Sequence, residues 1–179
     1  MTYANYITFL RITCLPLIVA VFFISNENSR WLLSCIFFTA AITDFLDGFF
    51  ARRFNQITSL GKFLDPVADK LLVIISLLLV LIENNNLLFF IPVSIIILRE
   101  VLISALREWM AIQNYSKILV VNTFGKVKTF FQLIAIGFLL FNGTIFTINT
   151  YAIGLYGIYI AAFLSLVSMI IYIQNVIRS

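Results

Sequence analysis

Histidine is absent from this sequence of 179 residues, and cysteine, proline and acidic residues are scarce. The lack of histidine excludes imidazole bases, phosphohistidine intermediates and histidine metal sites. The two cysteines, Cys14 and Cys35, lie inside apolar segments, where we expect them to be buried, and lack the spacing of zinc ligands. We therefore expect neither a disulfide framework nor a cysteine metal site.

Charged residues are also few. They make up 11% of the chain and hydrophobic residues 62%, whereas about a quarter of an ordinary soluble domain is charged. Apolar runs that can span a bilayer as helices, roughly 20 residues each, recur along the whole length. No run shows the strict alternation that a lipid-facing barrel strand needs. We predict an all-α, polytopic membrane protein forming a single domain, 1–179. The predicted transmembrane helices are 6–24, 31–53, 61–82, 87–112, 118–141 and 150–176.

Basic residues are distributed unequally between the two ends of these helices. The connections "SNENSR", "ENNN" and "NGTIFTINT" are polar and contain a single basic residue, Arg30. Most other arginines and lysines lie at the opposite ends, so the positive-inside tendency predicts cytoplasmic N and C termini. The polar start without a basic cluster predicts no cleaved signal peptide. Because topology explains the pI of about 9.2, we expect no nucleic-acid partner.

All the aspartates lie between residues 43 and 70, in "TDFLDGFFARRFNQITSLGKFLDPVADK". An ionised carboxylate inside a membrane costs several kcal/mol unless it is paired, hydrated or bound to a cation. Helical spacing places two of the aspartates on one face of the second helix and two on one face of the third. Counting residues from the outer ends places Asp44 and Asp69 at a similar depth, roughly 20 Å below the outer surface. The two stripes are Asp44, Asp47, Gly48 and Ala51, then Gly61, Asp65, Ala68 and Asp69.

Four converging carboxylates predict a divalent cation site. Ligation by oxygen alone suits magnesium, manganese or calcium. Arg52 and Arg53 stand beside the carboxylates, which indicates a polyanionic ligand such as a diphosphate.

Local structural roles are alternatives for several of these residues. Asp65 before Pro66 could cap a helix that begins at the proline. Asp44 and Asp47 could be buried partners of the neighbouring arginines, and Gly48 and Gly61 could serve helix packing.

The pattern Asp44-x2-Asp47-Gly48-x2-Ala51-Arg52-x8-Gly61-x3-Asp65-x3-Asp69 resembles the signature of the CDP-alcohol phosphatidyltransferases and fills each of its positions. The resemblance implies six transmembrane helices, a polar cavity facing the cytoplasm and a homodimer. It also implies that Asp44, Asp47, Asp65 and Asp69 hold Mg²⁺ or Mn²⁺, and that Asp69 is the general base.

The same resemblance implies which residues contact the CDP-diacylglycerol. Gly48 would admit the nucleotide close to the backbone, and Arg52 would contact phosphate oxygens. Thr58 matches a family position too, although it could instead cap a helix. The implied set is Gly48, Ala51, Arg52, Thr58 and Gly61.

Later stretches resemble one branch of the family. "LREVLISALREWMAIQNYSK", "VNTFGKVKTFFQ" and the initial "ANYITFLRI" are similar to bacterial phosphatidylglycerophosphate synthases. This similarity implies phosphatidyl transfer from CDP-diacylglycerol to glycerol 3-phosphate, with release of CMP. The implied location is the bacterial inner membrane, with the active site facing the cytoplasm.

A phosphorylated acceptor needs cations of its own, and the candidates are Arg99, Arg107, Lys126 and Lys128. The lysines could instead be interfacial anchors for lipid headgroups. Arg99 could instead pair with Glu100 or Glu108.

Two other functions compete with this interpretation. The same chemistry could use another acceptor, such as inositol phosphate, serine or phosphatidylglycerol. A cation transporter would also place carboxylates in membrane helices, but its site usually lies at the midplane among broken or repeated helices. The displaced cluster and its arginines favour the transferase.

Overall fold

The structure is a computed structural model that describes residues 3–26, 29–54, 59–84, 86–113 and 123–177. Within those ranges, the description of residues 3–10, 44–54, 59–63, 123–126, 175 and 177 is confined to the helical backbone.

The described residues form six α-helices and one short β-hairpin, which confirms the all-α class. Four predicted spans agree with observed helices to within two residues at each end, and the first helix starts three residues early. The fifth helix is described from Thr123, and its predicted start at residue 118 falls within residues 114–122, which lie outside the described ranges. The elements are α1 (Tyr3–Ile24), α2 (Arg30–Phe54), α3 (Ser59–Glu83), α4 (Leu87–Ile112), α5 (Thr123–Phe141), β1 (Thr144–Ile145), β2 (Ile148–Asn149) and α6 (Thr150–Ile177).

The helices pack around one apolar core in which α5 and α6 make the most extensive contact, while α1 packs on α2 and α3, and α4 packs on α6. Small residues allow the close approach of α5 and α6. A Cβ added at Gly157 would lie 2.7 Å from the Cβ of Ala135, and one at Gly154 would lie 3.0 Å from the Ala135 carbonyl oxygen. Glycine therefore brings these two helix backbones together, as is common in membrane bundles.

The surface of the bundle is rich in apolar side chains, and its interior contains charged ones. Phe23, Phe163 and Ile170 are exposed, whereas Arg11 and Lys128 are among the largest fully buried side chains. An extensive apolar surface on helices is compatible with lipid as the surrounding solvent. Among the described residues, α4 (Leu87–Ile112) and residues Thr150–Gln174 of α6 are long and apolar enough to cross a membrane. Shorter apolar helical stretches occupy Arg11–Ile24, Arg30–Thr43 and Val127–Phe141.

One end of the bundle is closed by polar contacts between helices. Arg30 on α2 forms an ion pair with Glu83 on α3, and Asn142 after α5 donates from Nδ2 to Glu83 Oε1 over 2.5 Å. The Tyr151 hydroxyl donates to Asn84 Oδ1 at the same end. Arg30, the basic residue that departs from the predicted charge distribution, is therefore neutralised by a neighbouring helix.

The connection "NGTIFTINT", predicted only as a polar link, contains the hairpin of β1 and β2. Thr144 pairs with Asn149 and Ile145 with Ile148. Phe146 at the tip has a positive φ of 57° and is 98% exposed. The hairpin thus presents apolar side chains beyond the helix ends.

The two cysteines are free thiols, as expected. The expectation that both are buried was wrong for Cys35, which is exposed on α2, whereas Cys14 is half-buried. Membership of an apolar helix does not specify which side of that helix faces the core.

Candidate active site

Asp65 and Asp69 lie one turn apart on α3 and share one face of that helix. Asp69 is exposed and Asp65 is half-buried, while Ala68 between them is fully buried against the bundle. Both carboxylates therefore lie where the buried face of α3 meets its exposed side.

The alternative role of Asp65 as a helix cap is wrong. The helix begins at Ser59, and Pro66 lies inside it. A proline there removes one backbone hydrogen bond, yet α3 continues to Glu83 because its apolar residues pack in the core. Asp65 consequently needs another explanation than capping.

The remaining residues of the aspartate motif are only partly covered by the described structure. α2 is helical at Asp44 and Asp47, but the described structure does not include their side chains. It also does not include the side chain of Lys126 or any part of Thr58. Among the side chains that are described, no three His, Cys, Asp or Glu residues form a group that could hold a metal ion. The metal and CDP-diacylglycerol sites therefore stay predictions at these positions. The positions concerned are Asp44, Asp47, Gly48, Ala51, Arg52, Thr58, Gly61 and Lys126.

The donor chemistry of α3 is compatible with a divalent metal. Asp65 and Asp69 supply carboxylate oxygens, which magnesium and manganese prefer. Asp69 is accessible from outside the packed core.

A second group of polar side chains joins α4, α5 and α6. Glu100 Oε1 accepts hydrogen bonds from two cations, Lys128 Nζ and Arg99 Nη1, the latter over 3.3 Å. Arg99 Nη2 also donates to Ser168 Oγ over 2.9 Å. We name Arg99, Glu100, Lys128 and Ser168 the cation cluster.

Burial and pairing in the cation cluster bear on the alternative roles of Lys128 as a lipid anchor and of Arg99 as a partner of a glutamate. Lys128 is 0% exposed, so its interpretation as an interfacial anchor is wrong. Arg99 is 8% exposed and pairs with Glu100, one of its two expected partners, while also remaining part of the cluster. Two buried cations that share one carboxylate leave an excess of one positive charge.

Unpartnered polar atoms lie on the same three helices as the cation cluster. Arg99 Nε, Gln132 Oε1 and Ser165 Oγ are buried and have no hydrogen-bond partner in the described part of the chain. Gln132 follows Lys128 by one turn of α5, and Ser165 precedes Ser168 by about one turn of α6. Buried polar groups in native proteins nearly always have partners, so their presence indicates bound water or a polar ligand.

Arg107 lies two turns beyond Arg99 on α4 and is exposed. Its guanidinium carbon is 5.8 Å from the centroid of the Tyr172 ring on α6, a cation–π distance. The structure thus places Arg107 and Arg99 against the same neighbouring helix, α6, because residues eight apart fall near one face of α4.

The cation cluster and the α3 carboxylates lie at a similar depth in the bundle. Arg99, Lys128 and Asp69 are separated by 12, 13 and 14 residues, respectively, from the outer ends of their helices, or roughly 20 Å. Lys70, which follows Asp69, donates to Ser104, one turn beyond Glu100 on α4. This contact ties the Asp69 turn of α3 to the helix that carries Arg99 and Glu100.

Sequence reasoning gave no functional role to Glu100, Gln132, Ser165, Ser168 and Tyr172. A signal was available for most of them, because ionisable and polar residues inside apolar helices usually face the bundle interior. Lys128 and Gln132 are four apart, and Ser165 and Ser168 are three apart, so each pair falls on one helix face.

Comparison with known proteins identifies the family. The CDP-alcohol phosphatidyltransferase family profile matches residues 1–173. The chain is 40% identical over 166 residues to a CDP-diacylglycerol--glycerol-3-phosphate 3-phosphatidyltransferase of Wigglesworthia glossinidia brevipalpis, covering 93% of this chain and 90% of the relative. Proteins of the same name from Haemophilus influenzae and Escherichia coli K12 are 40% and 42% identical over 171 and 168 residues, respectively, in both cases covering 94% of this chain. Those alignments cover 90% and 91% of the respective relatives. Because the family profile spans residues 1–173 and these relatives are at least 40% identical over at least 93% of its length, this chain belongs to the CDP-alcohol phosphatidyltransferase family.

Proposed function

We propose that this protein transfers the phosphatidyl group of CDP-diacylglycerol to sn-glycerol 3-phosphate, producing phosphatidylglycerophosphate and CMP. The observation that carries the choice of a phosphorylated acceptor is the cation cluster, in which two buried cations share one carboxylate at the depth of Asp69. A phosphorylated acceptor gives those cations an anionic partner. The relatives named for glycerol 3-phosphate support the same choice.

Arg99 and Lys128 bind the acceptor phosphate in this proposal. Charge-assisted hydrogen bonds from both groups to phosphate oxygens are stronger than neutral ones. Arg107 adds a third positive charge from the exposed end of the same helix, and Lys126 precedes Lys128 by two residues. The uncharged end of the acceptor is then free to extend toward α3.

Asp69 is the general base of the proposed reaction. It removes the proton from the acceptor hydroxyl, whose oxygen forms a bond to the phosphorus on the diacylglycerol side of the diphosphate. The bond from that phosphorus to the CMP oxygen breaks, and CMP leaves with the electron pair. The accessibility of Asp69 allows a substrate to reach its carboxylate.

Asp44, Asp47, Asp65 and Asp69 would hold a divalent metal, Mg²⁺ or Mn²⁺. When bound, such an ion neutralises negative charge on the diphosphate and on the departing CMP. Gly48, Ala51, Arg52, Thr58 and Gly61 complete the proposed CDP-diacylglycerol site.

We place the protein in the bacterial inner membrane as a homodimer with six transmembrane helices. The apolar outer surface of the helices supports the membrane setting. The concentration of basic residues opposite the hairpin end supports cytoplasmic termini and an active site facing the cytoplasm. The dimer rests on family resemblance alone.

An acceptor assay tests the proposed reaction. Detergent-purified protein with CDP-diacylglycerol and Mg²⁺ is given glycerol 3-phosphate, inositol phosphate, serine or phosphatidylglycerol in separate reactions, and CMP release is measured. We expect release with glycerol 3-phosphate at a rate far above that with the other acceptors. EDTA should abolish it, and added Mg²⁺ or Mn²⁺ should restore it.

The assay also separates the alternatives. CMP release with another acceptor but none with glycerol 3-phosphate would refute the proposed acceptor. Release with none of them, accompanied by cation flux in proteoliposomes, would refute the transferase function.

A further inference from the structure

We propose that Glu100 is an internal competitor of the acceptor phosphate, a positioning residue that holds Arg99 and Lys128 together before phosphate binds and limits how tightly the site binds phosphate. This inference rests on the proposed function, because it assigns a role within the acceptor site.

The hydrogen bonds of the cation cluster place Glu100 in contact with both cations. Its Oε1 atom accepts from both Arg99 and Lys128, so a single carboxylate oxygen serves two cations on different helices. The Glu100 side chain is 16% exposed and lies beside two cations that are less exposed than it is. Glu100 is thus the most exposed of the three charged side chains.

Electrostatic repulsion explains why Arg99 and Lys128 need a carboxylate beside them before phosphate binds. Arg99 on α4 and Lys128 on α5 are both buried, on helices that each pack against α6, and two buried like charges without a counter-ion repel each other strongly. Glu100 reduces the charge of the three groups to +1. It therefore keeps α4 and α5 in the arrangement that brings both cations to one point.

The same carboxylate opposes phosphate binding. A phosphate monoester, with a charge between −1.5 and −2 at neutral pH, must draw donors away from Glu100 and is repelled by its charge. Loss of this negative charge raises the free energy of the empty site and lowers that of the phosphate-bound site. Both effects favour phosphate, so the affinity should increase when Glu100 is neutralised.

Glu100→Gln tests the proposal because it removes the charge and preserves the shape of the side chain. The inhibition constant of inorganic phosphate, competing with glycerol 3-phosphate in the CMP-release assay, should fall about tenfold, and the KM for glycerol 3-phosphate should fall with it. The KM for CDP-diacylglycerol should not change. An inhibition constant for phosphate that is unchanged or higher overturns the proposal, since a merely structural role would reduce activity without tightening phosphate binding.

Glu108→Gln is the matched control. It removes a carboxylate from the same helix at an exposed position outside the cation cluster, and the inhibition constant should remain that of the wild type. Glu100→Asp withdraws the carboxylate by one methylene group while retaining its charge, and we expect a smaller fall, of about threefold. If Glu100→Gln does not fold, Glu100→Asp decides the question, and a constant equal to or above that of the wild type overturns the proposal.

A measurement that needs no turnover separates this inference from the proposed function. The unfolding temperature of each purified variant is followed as inorganic phosphate is added, because a ligand of the folded state raises it. Glu100→Gln should reach half of its phosphate-dependent shift at about one tenth of the wild-type concentration. A wild type that shows this shift but does not use glycerol 3-phosphate would refute the proposed function alone. Equal half-shift concentrations would refute the role of Glu100 alone.

Discussion

Lys128 is fully buried, although its ammonium group is costly to bury in an apolar bundle. Glu100 compensates that charge only partly, because it also serves Arg99. At the scale of single residues, the cluster is therefore defined by one carboxylate that is shared between a cation of its own helix and a cation of another helix. The carboxylates of α3 differ from this cluster, because Asp69 is exposed to an approaching substrate.

Lys128→Met should raise the KM for glycerol 3-phosphate at least tenfold, with a much smaller effect on the KM for CDP-diacylglycerol. A charge-assisted hydrogen bond contributes about 1.5–3 kcal/mol, and tenfold corresponds to about 1.4 kcal/mol. Steady-state kinetics with each substrate varied in turn measures the effect. Arg30→Met is the control, since it also breaks an ion pair but at the opposite end of the bundle. Equal changes in both KM values would indicate a general structural role for Lys128.

Asp69→Asn should reduce kcat by at least two orders of magnitude, because a neutral amide cannot accept the proton of the acceptor hydroxyl. Binding of CDP-diacylglycerol, followed by equilibrium dialysis or filter binding, should persist. Near-normal turnover would refute the role of Asp69 as the base.

At the scale of elements, close contact of α5 and α6 positions one wall of the proposed acceptor site. Gly154 and Gly157 on α6 meet Ala135 on α5 with no room for a further methyl group. Lys128 lies two turns from Ala135 along α5, and Ser168 lies on α6, so the spacing of these two helices sets the separation between residues of the cation cluster. Under the proposed function, backbone packing remote from the substrates thus contributes to phosphate recognition.

Gly157→Ala should lower the unfolding temperature and raise the KM for glycerol 3-phosphate severalfold. The new Cβ would lie 2.7 Å from that of Ala135, so α5 and α6 must move apart. Thermal unfolding in detergent and steady-state kinetics measure the two effects. Ala20→Val adds volume at an exposed position of α1 and should change neither property. A wild-type unfolding temperature for Gly157→Ala would show that the interface tolerates separation.

At the scale of the whole molecule, the two ends of the bundle are chemically different. The hairpin end is closed by the pair of Arg30 and Glu83 and extends to the apolar tip at Phe146. Most basic residues lie at the other end of the bundle, on or beside the helices that contain the carboxylates and the cation cluster. This asymmetry predicts one orientation in the membrane.

Cysteine labelling tests that orientation. In a background with Cys14 and Cys35 replaced by serine, Phe146→Cys should react with a membrane-impermeant maleimide in cells whose inner membrane is intact. Gln113→Cys, at the exposed end of α4, should react only after the inner membrane is permeabilised. The reverse pattern would refute the proposed topology.

Much of this organisation is predictable from the chain because it depends on local composition. Apolar runs predicted the six helices, and α4 and α6 in particular begin at the predicted residues. The sequence allowed Asp65 to be a helix cap because proline often occupies the first position of a helix. In the structure, α3 continues on both sides of Pro66 because its apolar residues pack in the core.

The amino-acid sequence is sufficient to assign the class of protein and the chemistry available to it: apolar helices, aspartates at helical spacing, cations inside apolar segments and no histidine. Which cations lie together depends on the tertiary structure. Lys128 and Glu100 are 28 residues apart, and Arg99 and Ser168 are 69 apart, so their contacts depend on how α4, α5 and α6 pack. Helical periodicity assigns a residue to a face of its own helix, but the neighbour of that face is selected by the packing of the entire bundle.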